Sequence, residues 1–314
     1  MPLASPLRLG ETGRVGTSTI PRLVYGTAWK EGRSSALVTT ALSADFRAVD
    51  TAAQPRHYRE DLVGAGIRAF LASPAAVARE NLYIQTKFTP SQAPGPGVPY
   101  DLSAPIEDQV ASSIASSLRN LAAGDETSHD DVYLDCVVLH SPLPSAAETL
   151  AAWRALETHV PHPVRRLGIS NVSLAELERL HAEAVVKPSV VQNRFYPRDQ
   201  GGGGYAAGVR KFCEENGIVF QSFWTLTGNP ALAGWRVVGD VVDALGGRVE
   251  KEVVVYALVM ALGRVCVLDG TTREEGMKGD LEGLEVLAAW AEGEGKQQWE
   301  EAVEAFKRLV NRDA

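Results

Sequence analysis

No C-x-x-C pair joins the three cysteines, Cys136, Cys213 and Cys266. Zinc sites and disulfide frameworks both need other spacings, so reduced, buried thiols are expected. Only six histidines are present, and they supply no cluster for a metal-dependent hydrolase, so no metal is expected. Long apolar runs are missing as well: the longest, Val253 to Leu262, is too short to span a bilayer. The opening MPLASPLRLG has no continuous apolar stretch of signal-peptide length, which points to a cytoplasmic protein with no membrane partner. A clustered Lys/Arg face is also lacking, and with a formal net charge of −8 no nucleic acid partner is expected. No G-x-G-x-x-G follows an early strand, so a doubly wound dinucleotide fold would lack its phosphate loop.

What is present suits a globular enzyme with a large core, 45% hydrophobic and 22% charged. Short β-branched runs alternate with longer amphipathic stretches from about Arg22 onward, the pattern of repeated βα units. The strand candidates are 22–26, 46–50, 82–88, 134–140, 165–170, 189–193, 218–222 and 264–269. Helix candidates between them include IEDQVASSIASSLRNLA, LAAWRALETHV, LAELERLHAEAV and AAGVRKFCEENG, and KQQWEEAVEAFKRLV follows the last strand. Eight such units either close into a barrel or spread into a doubly wound sheet, and a barrel collects functional residues at the C-terminal strand ends. The glycines from Gly201 to Gly204 read as a loop, since no Lys-Ser/Thr follows to make a phosphate cradle.

Polar residues gather where a buried strand should not want them. Asp50 closes the second candidate strand, Lys87 sits in the third and His140 closes the fourth. Each has a plain explanation alone: a helix cap, a snorkelling amine, a satisfied core histidine. In a barrel, however, three successive strand ends meet at one mouth.

These segments resemble the aldo-keto reductase family across nearly the whole chain. IPRLVYGTAW resembles its first strand, DTAAQPRHYREDLVG its Asp-Thr-Ala…Tyr…Glu…Val-Gly block, and YIQTKF its lysine strand. VYLDCVVLHSP, RRLGISN and VVQNRFYP look like the family's fourth, fifth and sixth strand ends, in family order. The resemblance implies a single-domain α/β chain, residues 1–314 forming one (β/α)8 TIM barrel. It further implies reduction of a small-molecule carbonyl compound by NADPH/NADP+, with NADH as a possible substitute and a monomer as the default. Tyr58 would be the general acid, Lys87 and Asp50 the pair beside it, and His140 the group that orients the substrate oxygen. A neighbouring ammonium should lower the phenol's pKa. The resemblance assigns cofactor contacts to Thr27, Asp50, Ser170, Asn171, Gln192, Gln221, Ser222, Phe223, Gly270, Thr271, Thr272 and Asp280. Trp29, Tyr58, His140 and Trp224 would meet substrate, with Phe88 and Phe195 as further aromatic candidates.

Three departures from the family pattern stand out. Tyr58 lies eight residues after Asp50, where the family has five and this chain has Pro55, so the loop is longer and His57 is a conceivable helper. In the seventh strand Gln221 occupies the position of the aromatic residue that stacks on nicotinamide; Phe220, Phe223 or Trp224 could replace it, or stacking could be absent. After the eighth strand the usual lysine and arginine are Gly270 and Gly276, leaving Arg273 and Lys278 as the nearby cations for a ribose phosphate. The short stretch after the final helix suggests a pocket with few walls. A non-catalytic, cofactor-binding barrel acting as a sensor or regulatory subunit is the alternative reading.

Overall fold

The computed structural model describes residues 14–15, 18–90, 98–122, 132–198, 201 and 203–311. The opening MPLASPLRLG and Gly202 of the glycine run lie outside them. Eight parallel strands form a closed barrel: β1 Leu23–Gly26, β2 Ala48–Asp50, β3 Tyr83–Phe88, β4 Cys136–Leu139, β5 Leu167–Ser170, β6 Val190–Arg194, β7 Val219–Phe223 and β8 Val265–Asp269. Their order around the barrel is β8-β1-β2-β3-β4-β5-β6-β7. Each strand falls on a predicted run, and all residues of β2, β3, β4 and β5 are buried, as parallel strands covered on both faces require.

The described residues pack as two compact units. One holds Tyr25–Val172 and Glu176–Val191. Its helices are α1 Ser34–Ser43, α2 Glu60–Leu71, α3 Ile106–Leu121, α4 Ala146–Glu157 and most of α5 Leu174–Glu183. The α2 helix crosses α3 at Gly64, where an added Cβ would lie 1.7 Å from the Asn120 carbonyl oxygen, so only glycine permits this approach. The α4 helix begins four residues before the predicted LAAWRALETHV. Ser145 and Glu148 form a reciprocal capping box that starts the helix earlier than its apolar periodicity does.

The other unit holds the remaining described residues, including Gln192 onward. It carries α6 Ala207–Glu215, the short α7 Pro230–Ala233, α8 Arg236–Ala244, α9 Lys251–Met260, α10 Glu274–Glu292 and α11 Lys296–Val310. The longest apolar run of the sequence is α9, buried from Val253 to Met260 on every face. It is an interior helix, and among the described residues no helix is long and apolar enough to cross a membrane. Cys136, Cys213 and Cys266 are all buried thiols outside any disulfide, as expected, and burial pushes the Cys136 thiol up to about 12.

Candidate active site

Parallel pairing sets the site's frame. In register, Asp50 at the end of β2 sits beside Gln85 on β3, and Lys87 lies two residues farther along β3, on the same face as Gln85. Lys87 Nζ donates to Asp50 Oδ2 at 2.5 Å and to the Thr51 carbonyl at 2.9 Å. Gln85 Nε2 donates to Asp50 Oδ1 at 2.6 Å, and Tyr83 Oη donates to Gln85 Oε1 at 2.9 Å. Alternate residues of one strand therefore hold both oxygens of the buried carboxylate. Removing Lys87 from water pulls its pKa down, but Asp50 and Tyr58 beside it more than compensate and the net shift is upward. The amine stays charged.

The lengthened loop is one extra turn. His57 N and Tyr58 N both donate to the Gln54 carbonyl, at 3.1 and 3.0 Å, and the turn delivers Tyr58 to Lys87. The ammonium lies 5.0 Å from the Tyr58 ring centroid. The lowering of the phenol's pKa expected from Lys87 is outweighed. Desolvation raises the Tyr58 phenol, Lys87 lowers it, Asp50 raises it again, and the net direction is up. The phenol keeps its proton at neutral pH, as a proton donor must.

His140, just past β4, meets Tyr58 edge to face with ring centroids 6.0 Å apart. Burial, then the nearby Lys87 charge, depress its pKa to about 3, so the ring is neutral. Its backbone is fixed twice: His140 N donates to the Phe88 carbonyl at 2.9 Å, and Asn171 Nδ2 donates to the His140 carbonyl at 2.9 Å. Its ring Nδ1 lies 2.7 Å from Thr89 Oγ1. His57 instead packs its ring against Trp29, centroids 3.9 Å apart.

Three residues in this unit have roles that the sequence does not assign: Gln85, Thr89 and Glu60, the last being the glutamate of the Asp-Thr-Ala…Tyr…Glu…Val-Gly block. The carboxylate of Glu60, at the start of α2, accepts from Thr86 Oγ1 at 2.5 Å, Ser117 Oγ at 2.8 Å and Asn120 Nδ2 at 3.1 Å. It ties the end of the Tyr58 turn to the strand that carries Lys87. Burial raises its pKa against the pull of these three donors. Thr27, assigned to the cofactor, donates its hydroxyl to the Asp50 carbonyl at 2.8 Å and anchors β1 to β2.

The nicotinamide dinucleotide that the resemblance implies needs amide and hydroxyl partners at one end and an anion site at the other. Asn171 directs its Nδ2 to His140 and, at 3.2 Å, to Ser170 Oγ, which leaves its amide oxygen as an acceptor beside the site. In the second unit Gln192 Nε2 donates to Gln221 Oε1 at 2.9 Å, and Ser222 Oγ and Thr225 Oγ1 are 2.5 Å apart. Phe220 is buried, Phe223 is half-buried, and Trp224 is 48% exposed with the Arg194 guanidinium 4.5 Å above its ring. Trp29 is 65% exposed, whereas Phe88 and Phe195 belong to the core.

After β8 come Gly270, Thr271 and Thr272, and then the first turn of α10, which has no side-chain cap. That uncapped helix start suits an anion. The surroundings suit it less. Asp269 Oδ1 accepts from Thr271 N at 2.9 Å, and Asp280 is hydrogen-bonded to Asp269. Burial and the Asp269 charge raise Asp280 to about 8. A Cβ at Gly276 would lie 2.7 Å from Thr271 Oγ1, so an arginine there would displace the threonine. Lys278 is paired with Glu274 at 2.7 Å. The amide end fits the cofactor. At the ribose end the helix start suits a phosphate, while Gly276 supplies no arginine to pair with it and Lys278 is engaged by Glu274.

Among the described residues no His, Cys, Asp and Glu cluster could hold a metal ion. Residues 15–298 match the model of the Aldo/keto reductase family. The chain is 27% identical over 217 residues to a glyoxal reductase of Bacillus subtilis, covering 69% of this chain and 64% of that protein. It is 30% identical over 235 residues to a glycerol 2-dehydrogenase (NADP(+)) of Hypocrea jecorina, covering 65% and 64%. Two solved structures share the fold. An aldo/keto reductase from Brucella melitensis superposes with a TM-score of 0.65 at 21% identity, covering 86% of this chain and 96% of that one. A Bombyx mori aldo-keto reductase in complex with NADP gives 0.65 at 19%, covering 87% and 88%.

Proposed function

The chain belongs to the aldo/keto reductase family, and on that footing we propose that it is an NADPH-dependent carbonyl reductase, interconverting an aldehyde or ketone with its alcohol. One observation carries the reading: a buried Asp50–Lys87 pair at 2.5 Å, with Lys87 Nζ 5.0 Å from the Tyr58 ring. When bound, the cofactor supplies the hydride that adds to the carbonyl carbon. Tyr58 gives its proton to the carbonyl oxygen, and the alcohol results. Because desolvation holds the phenol neutral, the proton is on Tyr58 before the reaction starts. Lys87 then stabilises the phenolate left behind, a charge that exists only once the proton has moved. Asp50 fixes Lys87 in place, and neutral His140 orients the carbonyl by hydrogen bonding without competing as an acid.

Ser170 and Asn171 would take the nicotinamide carboxamide, and Thr271 and Thr272 the ribose end. NADPH is the cofactor in this reading, with NADH also accepted because Gly276 leaves the phosphate without its arginine. The test is oxidation of NADPH and of NADH, followed by absorbance, against a panel of aldehydes, for wild type and Tyr58→Phe. Wild type should turn over, and the variant should lose about 10²–10⁴-fold in kcat. If both are equally inert while NADPH binds tightly, the protein binds cofactor without catalysis and the reductase reading is wrong.

A further inference from the structure

Resting on the reading of His140 as the carbonyl-orienting group, we propose that Thr89 is a positioning residue that fixes the His140 tautomer, placing the ring's one proton on Nε2. The two side chains are locked together. Thr89 follows β3 directly and is nearly buried, and its carbonyl accepts from Tyr100 Oη at 2.5 Å. His140 is held at its own N–H and carbonyl by Phe88 and Asn171. With both backbones fixed, the 2.7 Å contact between Thr89 Oγ1 and His140 Nδ1 is a short, set hydrogen bond.

The proton count decides its direction. A neutral imidazole has one N–H, and a hydroxyl has one hydrogen to give. If Nδ1 carried the proton, Thr89 would accept it and its own hydrogen would need another acceptor. Among the described residues Thr89 Oγ1 has no second partner. A buried hydroxyl hydrogen without an acceptor is disfavoured, whereas spare lone pairs on a hydroxyl cost little. Thr89 therefore donates to Nδ1, and Nε2 carries the N–H that a carbonyl oxygen can accept.

The partner's chemistry has a second consequence. A carboxylate at Nδ1 would stabilise the imidazolium and turn the ring into an acid; a neutral hydroxyl does not. Thr89 thus makes His140 a hydrogen-bond donor that keeps its proton, and leaves proton delivery to Tyr58. The low pKa of His140 agrees with this division.

Nitrogen-15 NMR of the two His140 ring nitrogens, in the full chain without substrate, tests the tautomer directly. Turnover of Thr89→Val and Thr89→Ser supplies the kinetic arm. Wild type should give one protonated Nε2 and one unprotonated Nδ1. In Thr89→Val the two signals should move toward each other as the tautomers mix, and kcat should fall about 10-fold or more with cofactor affinity unchanged. Thr89→Ser should restore both. A wild-type ring protonated at Nδ1, or an unchanged Nε2–H signature and kcat in Thr89→Val, overturns the proposal. If wild type has the Nε2–H signature and Thr89→Val loses it, but wild type reduces no carbonyl, the reductase reading falls and the tautomer assignment stands.

Discussion

One polar cluster lies before strands β3, β4 and β5, another lies at the C-terminal ends of β2, β3 and β4, and the two are built to opposite purposes. Before the strands begin, Asp135 is gripped by Arg79 at 2.9 Å and Arg165 at 3.3 Å, and it also accepts Ile84 N at 3.0 Å. The two guanidinium groups pack on the Tyr133 ring at 4.2 and 3.4 Å. Charges and donors there are mutually engaged, so the cluster can only hold the strands together. At the far ends, Asp50 and Lys87 pair one to one, while the phenol of Tyr58 keeps a proton that it can lose and His140 has a ring nitrogen beyond the one engaged by Thr89. The difference lies less in residue type than in which groups retain unused proton and hydrogen-bond capacity. In a parallel barrel that capacity belongs at the C-terminal strand ends.

Breaking each cluster should separate the two purposes. Of the two clusters' carboxylates the larger effect is expected from Asp50→Asn, which leaves the buried ammonium of Lys87 without its counter-charge. Stability should fall by about 3 kcal/mol and kcat by about 10²-fold, read by denaturant unfolding and by aldehyde turnover. Asp135→Asn should cost about 2 kcal/mol of stability and leave kcat within about twofold. A comparable loss of turnover in that variant would erase the distinction between the ends.

A smaller effect sharpens the comparison through pH. His140 titrates near 6.5 in an unfolded chain and near 3 when folded, a depressed value. Its contribution to stability is therefore complete above about pH 6.5 and is lost progressively as the pH falls from there toward 3. By pH 5.5 the loss is about 1.4 kcal/mol. His140→Gln should remove that part of the slope, so its melting temperature should fall less than that of wild type between pH 7 and 5.5.

Much of this was legible in the sequence, and the limits have physical causes. Eight β-branched runs foretold eight strands because buried parallel strands write themselves as continuous apolar segments. Asp50, Lys87 and His140 stood out as ionisable residues in such runs, and the structure brings them together with Tyr58. The α9 helix carried no amphipathic period, since it is buried all round, and read only as an apolar run. Glu60 stood in the sequence as the glutamate of the Asp-Thr-Ala…Tyr…Glu…Val-Gly block, but neither its role nor that of Thr89 was legible, because a single hydroxyl or carboxylate declares its partner only when distant elements meet. A hydroxyl two residues beyond a strand lysine was the available hint. Gln85 could have been found by alternation, as the polar residue on the same face as Lys87. The pKa of Tyr58 was read in the wrong direction because the Lys87 charge is visible in sequence and the desolvation that outweighs it is not. Phe88 and Phe195 could not be told from Trp29 and Trp224 for a similar reason, exposure being a property of the fold.

The most direct test of the account is Lys87→Met, with turnover and NADPH affinity measured on the same preparation. Cofactor binding should stay within a few-fold of wild type and kcat should fall by about 10³-fold or more, because the variant keeps the barrel but has nothing to stabilise the Tyr58 phenolate. Full activity in Lys87→Met with Tyr58 in place would contradict it.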